Sequence, residues 1–335
     1  MADQDVSRVP GPPDAAPPLT GVPEEARVES WLRTLDGFEA AHVISVKALN
    51  DGYSNVTCRL TLAEAPVVAA VLRVQPNHGI FEPYDVLREG DVLRRLATTA
   101  IPVPDVLASE VDSSYFGAPL ILLEWVDAPH MPAPDADLAA FAADLPAFAG
   151  ALAAIHELDW RAAGLEFLGV PASPAAGLAA EIDVVAARMR AFGCEDDSLL
   201  MRALAVLRGS TPVGGRLALC HGDPNPFNYL FHGDKVVAVV DWEQARISDP
   251  RSDVAQLVAL AHLRGAVPFG PVRENLLVQL YEAATGESLV NLELFRAFWL
   301  FQLGVVFHGW KAYGTEPWFS WAQIEGFLGS ALAEL

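Results

Sequence analysis

The residues with the clearest chemical potential lie in one short stretch, His221-Gly-Asp-Pro-Asn-Pro-Phe-Asn228. It carries the pattern H-x-D-x-x-x-x-N, in which Asp223 supplies a carboxylate and Asn228 an amide. Phosphoryl transfer needs a carboxylate that orients the attacking hydroxyl and accepts its proton, and an oxygen ligand for the metal ion on the phosphates. Asp223 suits the first role, as catalytic base, and Asn228 suits the second, as a metal ligand.

The segment that follows this stretch predicts a β-hairpin. Two runs of strand-forming residues, Tyr229–Phe231 and Val236–Val240, flank the turn His232-Gly-Asp-Lys235. Because a hairpin returns the chain close to its starting point, we expect Asp241 to lie near Asn228 as a second metal ligand. Oxygen ligands of this kind suit Mg²⁺ rather than Zn²⁺.

The residues before this region predict a small lobe built on strands. Alternating and β-branched apolar runs indicate about five strands, with a helix inserted after the third. The expected elements are a helix at Glu24–Leu35, strands at Val43–Leu49, Val56–Leu62 and Val67–Val74, a helix at Pro83–Leu96, and strands at Val106–Val111 and Leu120–Trp125.

The rest of the chain, apart from the hairpin region, shows helical spacing of apolar residues. A change of composition near Glu124–Ala133 marks the boundary between the lobes, and 335 residues are more than one compact core usually holds. We therefore expect a disordered Pro-rich segment at 1–25, a small lobe at 26–126 and a large lobe at 127–335. Helices are expected at Leu138–Leu158, Ala175–Phe192, Asp197–Leu207, Pro250–Leu263, Val272–Ala284, Leu292–Lys311 and Ser320–Leu332.

The composition disfavours several classes of binding partner and several cellular locations. The net charge of −21 disfavours binding to nucleic acid or to an anionic membrane. Three cysteines without zinc-site spacing predict a reduced, cytoplasmic environment, and the N-terminus lacks the features of a secretory signal. The longest apolar stretches, such as Phe298–Phe307, are expected to be too short to span a bilayer, so the protein should be soluble.

The sequence HGDPNPFN followed by VVDWEQARISDPRSDVA resembles the aminoglycoside phosphotransferase and choline-kinase-like family. The resemblance covers roughly residues 40 to 330, and Val71-Leu-Arg-Val74 followed by Arg88-Glu89 is similar to the subgroup fused to some acyl-CoA dehydrogenases. It implies an α+β, protein-kinase-like bilobed fold, with a small antiparallel-sheet lobe and a larger, mainly helical lobe. It also implies that ATP or GTP binds with Mg²⁺ between the lobes.

The same resemblance implies a set of nucleotide-binding residues. The turn after the first strand would cover the phosphates, Arg73 stands where the family places a phosphate-binding Lys, and Glu89 would pair with Arg73. The backbone at Glu124 and Val126 would bind the nucleobase. The implied residues are Gly52, Ser54, Asn55, Arg73, Glu89, Glu124 and Val126.

Three further groups of residues are interpreted as structural. Asp249, as the N-cap of a helix that starts at Pro250, and Asp253 in the first turn should support the metal loop. His156 is expected to be a packed core residue. The aromatic residues of the C-terminal helices are expected to be core, although some could line an acceptor pocket.

These observations together predict a kinase that phosphorylates a hydroxyl group of a small molecule, acting as a monomer or homodimer. The acceptor could be an aminoglycoside or other antibiotic, a sugar, an amino alcohol or a hydroxyacyl metabolite. One alternative is a nucleotide-binding pseudokinase, which the Arg73 replacement favours. A protein kinase is disfavoured because the short path from Asp241 to Asp249 leaves little room for an activation loop. An interaction module using the aromatic C-terminal helices would need a large exposed apolar patch.

Overall fold

The computed structural model describes residues 21–49, 55–76, 78–132, 137–264 and 275–335. The chain divides into two compact units. The first contains residues up to Gly90 together with Asp105–Trp125, and the second contains Asp91–Pro104 together with Val126–Leu335. Most of the segment predicted to be disordered, 1–25, lies outside the described residues.

The first unit is built on a five-stranded antiparallel sheet with the strand order β1-β2-β3-β5-β4. One helix precedes the sheet, and a second helix begins between its third and fourth strands. The elements are α1 (Glu25–Leu32), β1 (His42–Ala48), β2 (Val56–Ala63), β3 (Ala69–Val74), α2 (Val86–Leu96), β4 (Val106–Glu110) and β5 (Leu120–Glu124). The part of α2 from Asp91 onward belongs to the second unit.

The burial of these strands follows their place in the sheet. In β2, residues of one face alternate with less buried neighbours, so Cys58, Leu60 and Leu62 enter the core. The core also contains Trp31 of α1, whose ring meets Phe116 edge-on with centroids 5.8 Å apart. The central strand β3 is buried on both faces, and this burial encloses the Arg73 side chain that β3 carries.

The second unit is mainly helical and carries two short two-stranded sheets, β6 with β9 and β7 with β8. The predicted hairpin is present as β7 and β8, whereas β6 and β9 are not predicted by the sequence pattern. The elements are α3 (Leu138–Glu157), α4 (Pro174–Ala191), α5 (Ser198–Gly209), β6 (Ala218–Cys220), β7 (Tyr229–His232), β8 (Lys235–Val239), β9 (Arg246–Ser248), α6 (Arg251–Leu263), α7 (Leu276–Thr285), α8 (Leu292–Ala312) and α9 (Trp321–Ala333).

Helix α8 lies at the centre of the second unit and packs against α6 and α9. It is buried along most of its length, and its aromatic residues Phe298, Trp299 and Phe301 are 3% exposed or less. The interpretation of the C-terminal aromatic residues as core is therefore confirmed for α8. Trp318, before α9, is 40% exposed.

The start of α6 differs by one residue from the prediction. The N-cap is Pro250 rather than Asp249, and the helix begins at Arg251. The Asp249 carboxylate accepts hydrogen bonds from the Arg251 backbone N–H at 3.0 Å and from the Arg251 Nη2 atom at 2.6 Å. The carboxylate thus satisfies a helix N–H from outside the first turn, because the side chain of the N-cap residue Pro250 has no acceptor atom.

The expectation that every apolar stretch is too short to span a bilayer is wrong on length. Within the described ranges, the stretch Ala139–Glu157 of α3 is long and apolar enough to cross a membrane. A buried core helix meets the same criterion, so this is weak evidence. In the second unit α3 packs against α7, and Phe148, Leu152 and Ile155 are fully buried.

Candidate active site

Asp223 and Asn228 lie on the loop between β6 and β7, which ends in a single helical turn at Pro226–Asn228. The Asn228 Nδ2 atom donates to the Asp223 backbone oxygen at 2.8 Å and lies 3.5 Å from the Asp223 Oδ2 atom. Because this contact fixes the amide nitrogen toward Asp223, the Oδ1 atom is the end of the amide left to bind a cation.

The hairpin brings Asp241 back to this loop. The N–H of Val240 donates to the Asn228 backbone oxygen at 2.9 Å, and the His221 Nε2 atom donates to the Val240 backbone oxygen at 3.0 Å. Asp241 itself has a left-handed backbone, with φ at 67°. Such a conformation costs about 1–3 kcal/mol in a non-glycine residue and persists where its surroundings hold it. The buried Trp242, whose indole N–H donates to the Val239 backbone oxygen, anchors the following residue.

The electrostatics of the loop suit a base beside a cation site. Asp223 is half-buried, and loss of solvation raises the pKa of its carboxyl group to about 7, with further contributions from the negative charges of Asp241 and Glu243. A base with a pKa near the working pH is effective in proton transfer. The hard oxygen donors Asn228 Oδ1 and the Asp241 carboxylate fit Mg²⁺.

The buried carboxylate of Asp253, on α6, holds the start of the loop. It accepts hydrogen bonds from the backbone N–H groups of His221, at 2.7 Å, and Gly222, at 3.2 Å. The His156 Nε2 atom lies 3.2 Å from its Oδ2 atom, and the His156 Nδ1 atom lies 2.7 Å from the Tyr281 hydroxyl. Burial opposes ionisation of Asp253, but the hydrogen bond from His156 and nearby positive charge outweigh it and lower the pKa. His156 is thus buried, as predicted, and hydrogen-bonded to the support of the loop.

His156, Cys220 and Asp253 place possible metal-ligand atoms within 4.8 Å of one another. Burial raises the pKa of the Cys220 thiol well above its ordinary value, so the thiol stays protonated near neutral pH. The oxygens of Asp253 already accept the hydrogen bonds described above. In this arrangement the cluster supports the loop through the hydrogen bonds of Asp253.

Gly222 occupies a position that no other residue can fill without rearrangement. Its φ is +87°, and a Cβ atom there would lie 2.1 Å from the Gln244 backbone oxygen and 2.6 Å from the Arg246 Nη1 atom. Arg246 is held in that place by Glu181, at 3.2 Å, and by the Ser252 hydroxyl, at 3.1 Å. The loop accordingly carries Gly where the protein-kinase pattern H-R-D carries Arg.

A further contact to Asp223 comes from a residue that the sequence pattern does not predict. The Gln256 Nε2 atom donates to the Asp223 Oδ1 atom at 3.0 Å. The feature of the sequence that could have indicated this contact is the spacing of Gln256 from Asp253 on α6, which places both residues on one helix face.

The predicted nucleotide-binding residues of the first unit form a separate group. The Arg73 Nη1 atom on β3 lies 3.0 Å from the Glu89 Oε1 atom on α2, and both side chains are buried. Asn55, immediately before β2, is 5% exposed. Gly52 and Ser54 lie outside the described residues.

The predicted nucleobase-binding positions lie at the end of β5 and just beyond it. The N–H of Glu124 donates to the Asp105 backbone oxygen at 2.9 Å, and the backbone oxygen of Val126 accepts from the Ala128 N–H at 3.0 Å. The Glu124 N–H is therefore engaged within the chain, whereas the Val126 oxygen, with two lone pairs, can accept a second hydrogen bond. Nucleobase binding by the backbone of Glu124 and Val126 stays a prediction.

The antiparallel five-stranded sheet of the first unit, and in the second unit the loop and hairpin that carry Asp223, Asn228 and Asp241, are the elements of a kinase-like fold. Residues 45–286, which form most of the chain, match the Phosphotransferase enzyme family, and the chain belongs to that family. The predicted protein-kinase-like fold is confirmed.

Comparison with individual proteins agrees with this assignment. The chain is 28% identical, over 74% of its length, to acyl-CoA dehydrogenase family member 10 from Mus musculus, of which it spans only 23%. A proposed aminoglycoside phosphotransferase from Ralstonia eutropha JMP134 shares the fold with a TM-score of 0.67 and 23% identity, over 92% of this chain and 95% of the other. A choline kinase from Streptococcus pneumoniae shares it with a TM-score of 0.61 and 16% identity, over 93% and 99%. The predicted resemblance to the subgroup fused to acyl-CoA dehydrogenases is confirmed.

Replacing Gly222 by alanine should destabilise the protein by about 3 kcal/mol or more, because a positive φ and a backbone clash act together. Gly233 in the hairpin turn is the matched control, since it also has a positive φ, 62°, but open space where a Cβ would lie. Gly233→Ala should cost only about 1–2 kcal/mol. Urea unfolding measures both, and equal losses would contradict the role given to the Gln244 contact.

Replacing Asp253 by asparagine should lower the free energy of unfolding by about 3 kcal/mol at pH 7, because one acceptor oxygen and a buried negative charge are lost. The lowered pKa of Asp253 means that its contribution is present above the unfolded-state pKa of about 4 and fades as the pH falls below it. Urea unfolding of both proteins between pH 3.5 and 7 should therefore show a difference that shrinks at the acid end. A constant difference would show that the charge of Asp253 does not contribute.

Proposed function

We propose that this chain transfers the γ-phosphoryl group of ATP or GTP to a hydroxyl group of a small molecule, with Asp223 as the base. The observation that carries the proposal is the contact between Asn228 and Asp223, which leaves an amide oxygen beside a carboxylate with a raised pKa. Membership of the Phosphotransferase enzyme family supports it.

In this proposal each residue has one task. Asp223 orients the acceptor hydroxyl and receives its proton as the new oxygen–phosphorus bond forms. Asn228 and Asp241 hold Mg²⁺, which when bound offsets the negative charge of the phosphates. Arg73, oriented by Glu89, pairs with the nucleotide phosphates through its planar guanidinium group. Positioning and charge stabilisation then supply most of the rate.

Arg73 is compatible with catalysis as well as with the pseudokinase alternative that its replacement of Lys favours. The guanidinium keeps the positive charge of the Lys that the family places there, and its ion pair with Glu89 fixes its direction. The carboxylate and amide of the catalytic loop are also in place. The pseudokinase alternative predicts nucleotide binding without transfer, so measured transfer distinguishes the two.

The acceptor class is supported by the range of structural neighbours. Their names mention aminoglycosides, macrolides and choline, which share a hydroxyl group and differ in most other respects. The proposal therefore commits to a hydroxyl on a small molecule, which includes antibiotics and hydroxylated metabolites. A fold of this kind occurs in enzymes with many different acceptors. The reaction is therefore better described by the transferred phosphoryl group than by the fold.

The test is Asp223→Ala, measured by transfer of labelled γ-phosphate from ATP and from GTP to a panel of hydroxylated compounds. Transfer should fall by about 100-fold or more because the base is lost, whereas the affinity for Mg²⁺-nucleotide should change little. Asp183→Ala, which removes an exposed carboxylate paired with Arg208 on the surface, is the control and should transfer at the wild-type rate.

Two results would contradict the proposal. Wild-type turnover in Asp223→Ala would exclude this carboxylate as the base. Nucleotide binding by the wild type without transfer to any compound, and without hydrolysis, would favour the pseudokinase alternative.

A further inference from the structure

Helix α6 presents two polar side chains to the catalytic loop from one face. Asp253 binds the backbone of His221 and Gly222, and Gln256 binds the side chain of Asp223. Residues three apart on a helix lie on the same side, so one rigid element sets both the path of the loop and the direction of its carboxylate.

The orientation of the Gln256 amide follows from its partner. The side chain is 6% exposed, and its Nε2 atom lies 3.0 Å from the Asp223 Oδ1 atom. The opposite orientation would place two oxygens against each other, so the nitrogen must face the carboxylate. The Gln256 Oε1 atom is buried and has no hydrogen-bond partner among the described residues. An unpaired buried oxygen is unfavourable. The amide thus makes its hydrogen bond to Asp223 at a cost in free energy, because its oxygen end stays unpaired.

This contact makes the two oxygens of Asp223 unequal. Oδ1 accepts a hydrogen bond of ordinary length from Gln256, whereas among the described residues Oδ2 has only the long 3.5 Å contact with the Asn228 amide. Oδ2 is therefore the oxygen with more free capacity to accept a hydrogen bond from an incoming hydroxyl.

We propose that Gln256 is a positioning residue, which fixes the Asp223 carboxylate so that Oδ2 faces the acceptor hydroxyl. This role rests on the proposed function, because it assigns Gln256 to the same reaction. Gln256 acts through Asp223 and does not itself contact the acceptor or the nucleotide. Its effect should therefore appear in the rate of the chemical step and not in nucleotide affinity.

The test uses the hydrolysis of ATP by the full chain with Mg²⁺, in which water is the acceptor. Gln256→Met keeps the size of the side chain and removes the donor, so kcat should fall about 10- to 100-fold because the base is no longer held in one direction. The KM for ATP should stay within about twofold of the wild-type value. Gln256→Glu places a second carboxylate beside Asp223 and should have a lower kcat than Gln256→Met.

Gln302→Met is the matched control. Gln302 is another buried helical glutamine, 9% exposed, on the neighbouring helix α8, and it does not hydrogen-bond to Asp223. It should leave kcat unchanged. A kcat for Gln256→Met within twofold of wild type, or an equal loss in Gln302→Met, would overturn the positioning role.

A second arm shows whether Gln256 acts through Asp223. In an Asp223→Ala background, Gln256→Met should cause no further loss of the residual hydrolysis, because the group that it orients is gone. A further loss as large as that in the wild-type background would overturn the proposal.

Thermal unfolding separates this proposal from the proposed function, since it requires no turnover. The loss of Tm in the double variant Asp223→Ala, Gln256→Met should be smaller than the sum of the two single losses, because both single variants break the same contact. Additive losses in a protein that hydrolyses ATP normally would overturn the positioning role alone. A wild-type protein that turns over no nucleotide, with or without acceptor compounds, would overturn the proposed function.

Discussion

One buried carboxylate supports the candidate site. Asp253 lies inside the second unit, where an ionised side chain is tolerated only if its oxygens are hydrogen-bonded. It meets that requirement with the backbone N–H groups of His221 and Gly222 and with the His156 ring. The buried charge and the loop backbone therefore satisfy each other. Breaking either partner would leave the other unpaired, and this dependence gives the loop one well-defined path.

The remaining geometry follows from that path through a short series of hydrogen bonds. On this loop the Asn228 amide nitrogen donates to the Asp223 backbone oxygen. At the end of the hairpin, the Val240 N–H donates to the Asn228 backbone oxygen. His221 adds a bond to the Val240 oxygen, so the residue before Asp241 is held from two directions. Such fixation can offset the unfavourable backbone of Asp241. Preorganised oxygen donors of this kind need little rearrangement when a cation and phosphates bind.

The first unit has its own buried charge pair, Arg73 and Glu89. A strand and a helix of that unit meet at this pair, and burial of both side chains makes their direction well defined. The chain belongs to the Phosphotransferase enzyme family and has a kinase-like fold, but the same fold supports acceptors of very different chemistry. The identity of the acceptor depends on the side chains around the hydroxyl, whereas the proposed chemistry depends on Asp223 and its neighbours.

The sequence by itself determined the loop pattern, the hairpin and the alternation of apolar residues, because these depend on local spacing. From them the roles of Asp223, Asn228 and Asp241 and most helices and strands could be predicted. Only the tertiary structure decided which residues pack against the loop between β6 and β7. Strands β6 and β9 are three residues long and pair with each other across the intervening hairpin, so their stability comes from a distant partner rather than from local propensity. The contact of Gln256 with Asp223 and the space that Gln244 and Arg246 deny to a side chain at Gly222 arise in the same way. Each joins residues separated along the chain, and spacing alone cannot encode how closely packing brings them together.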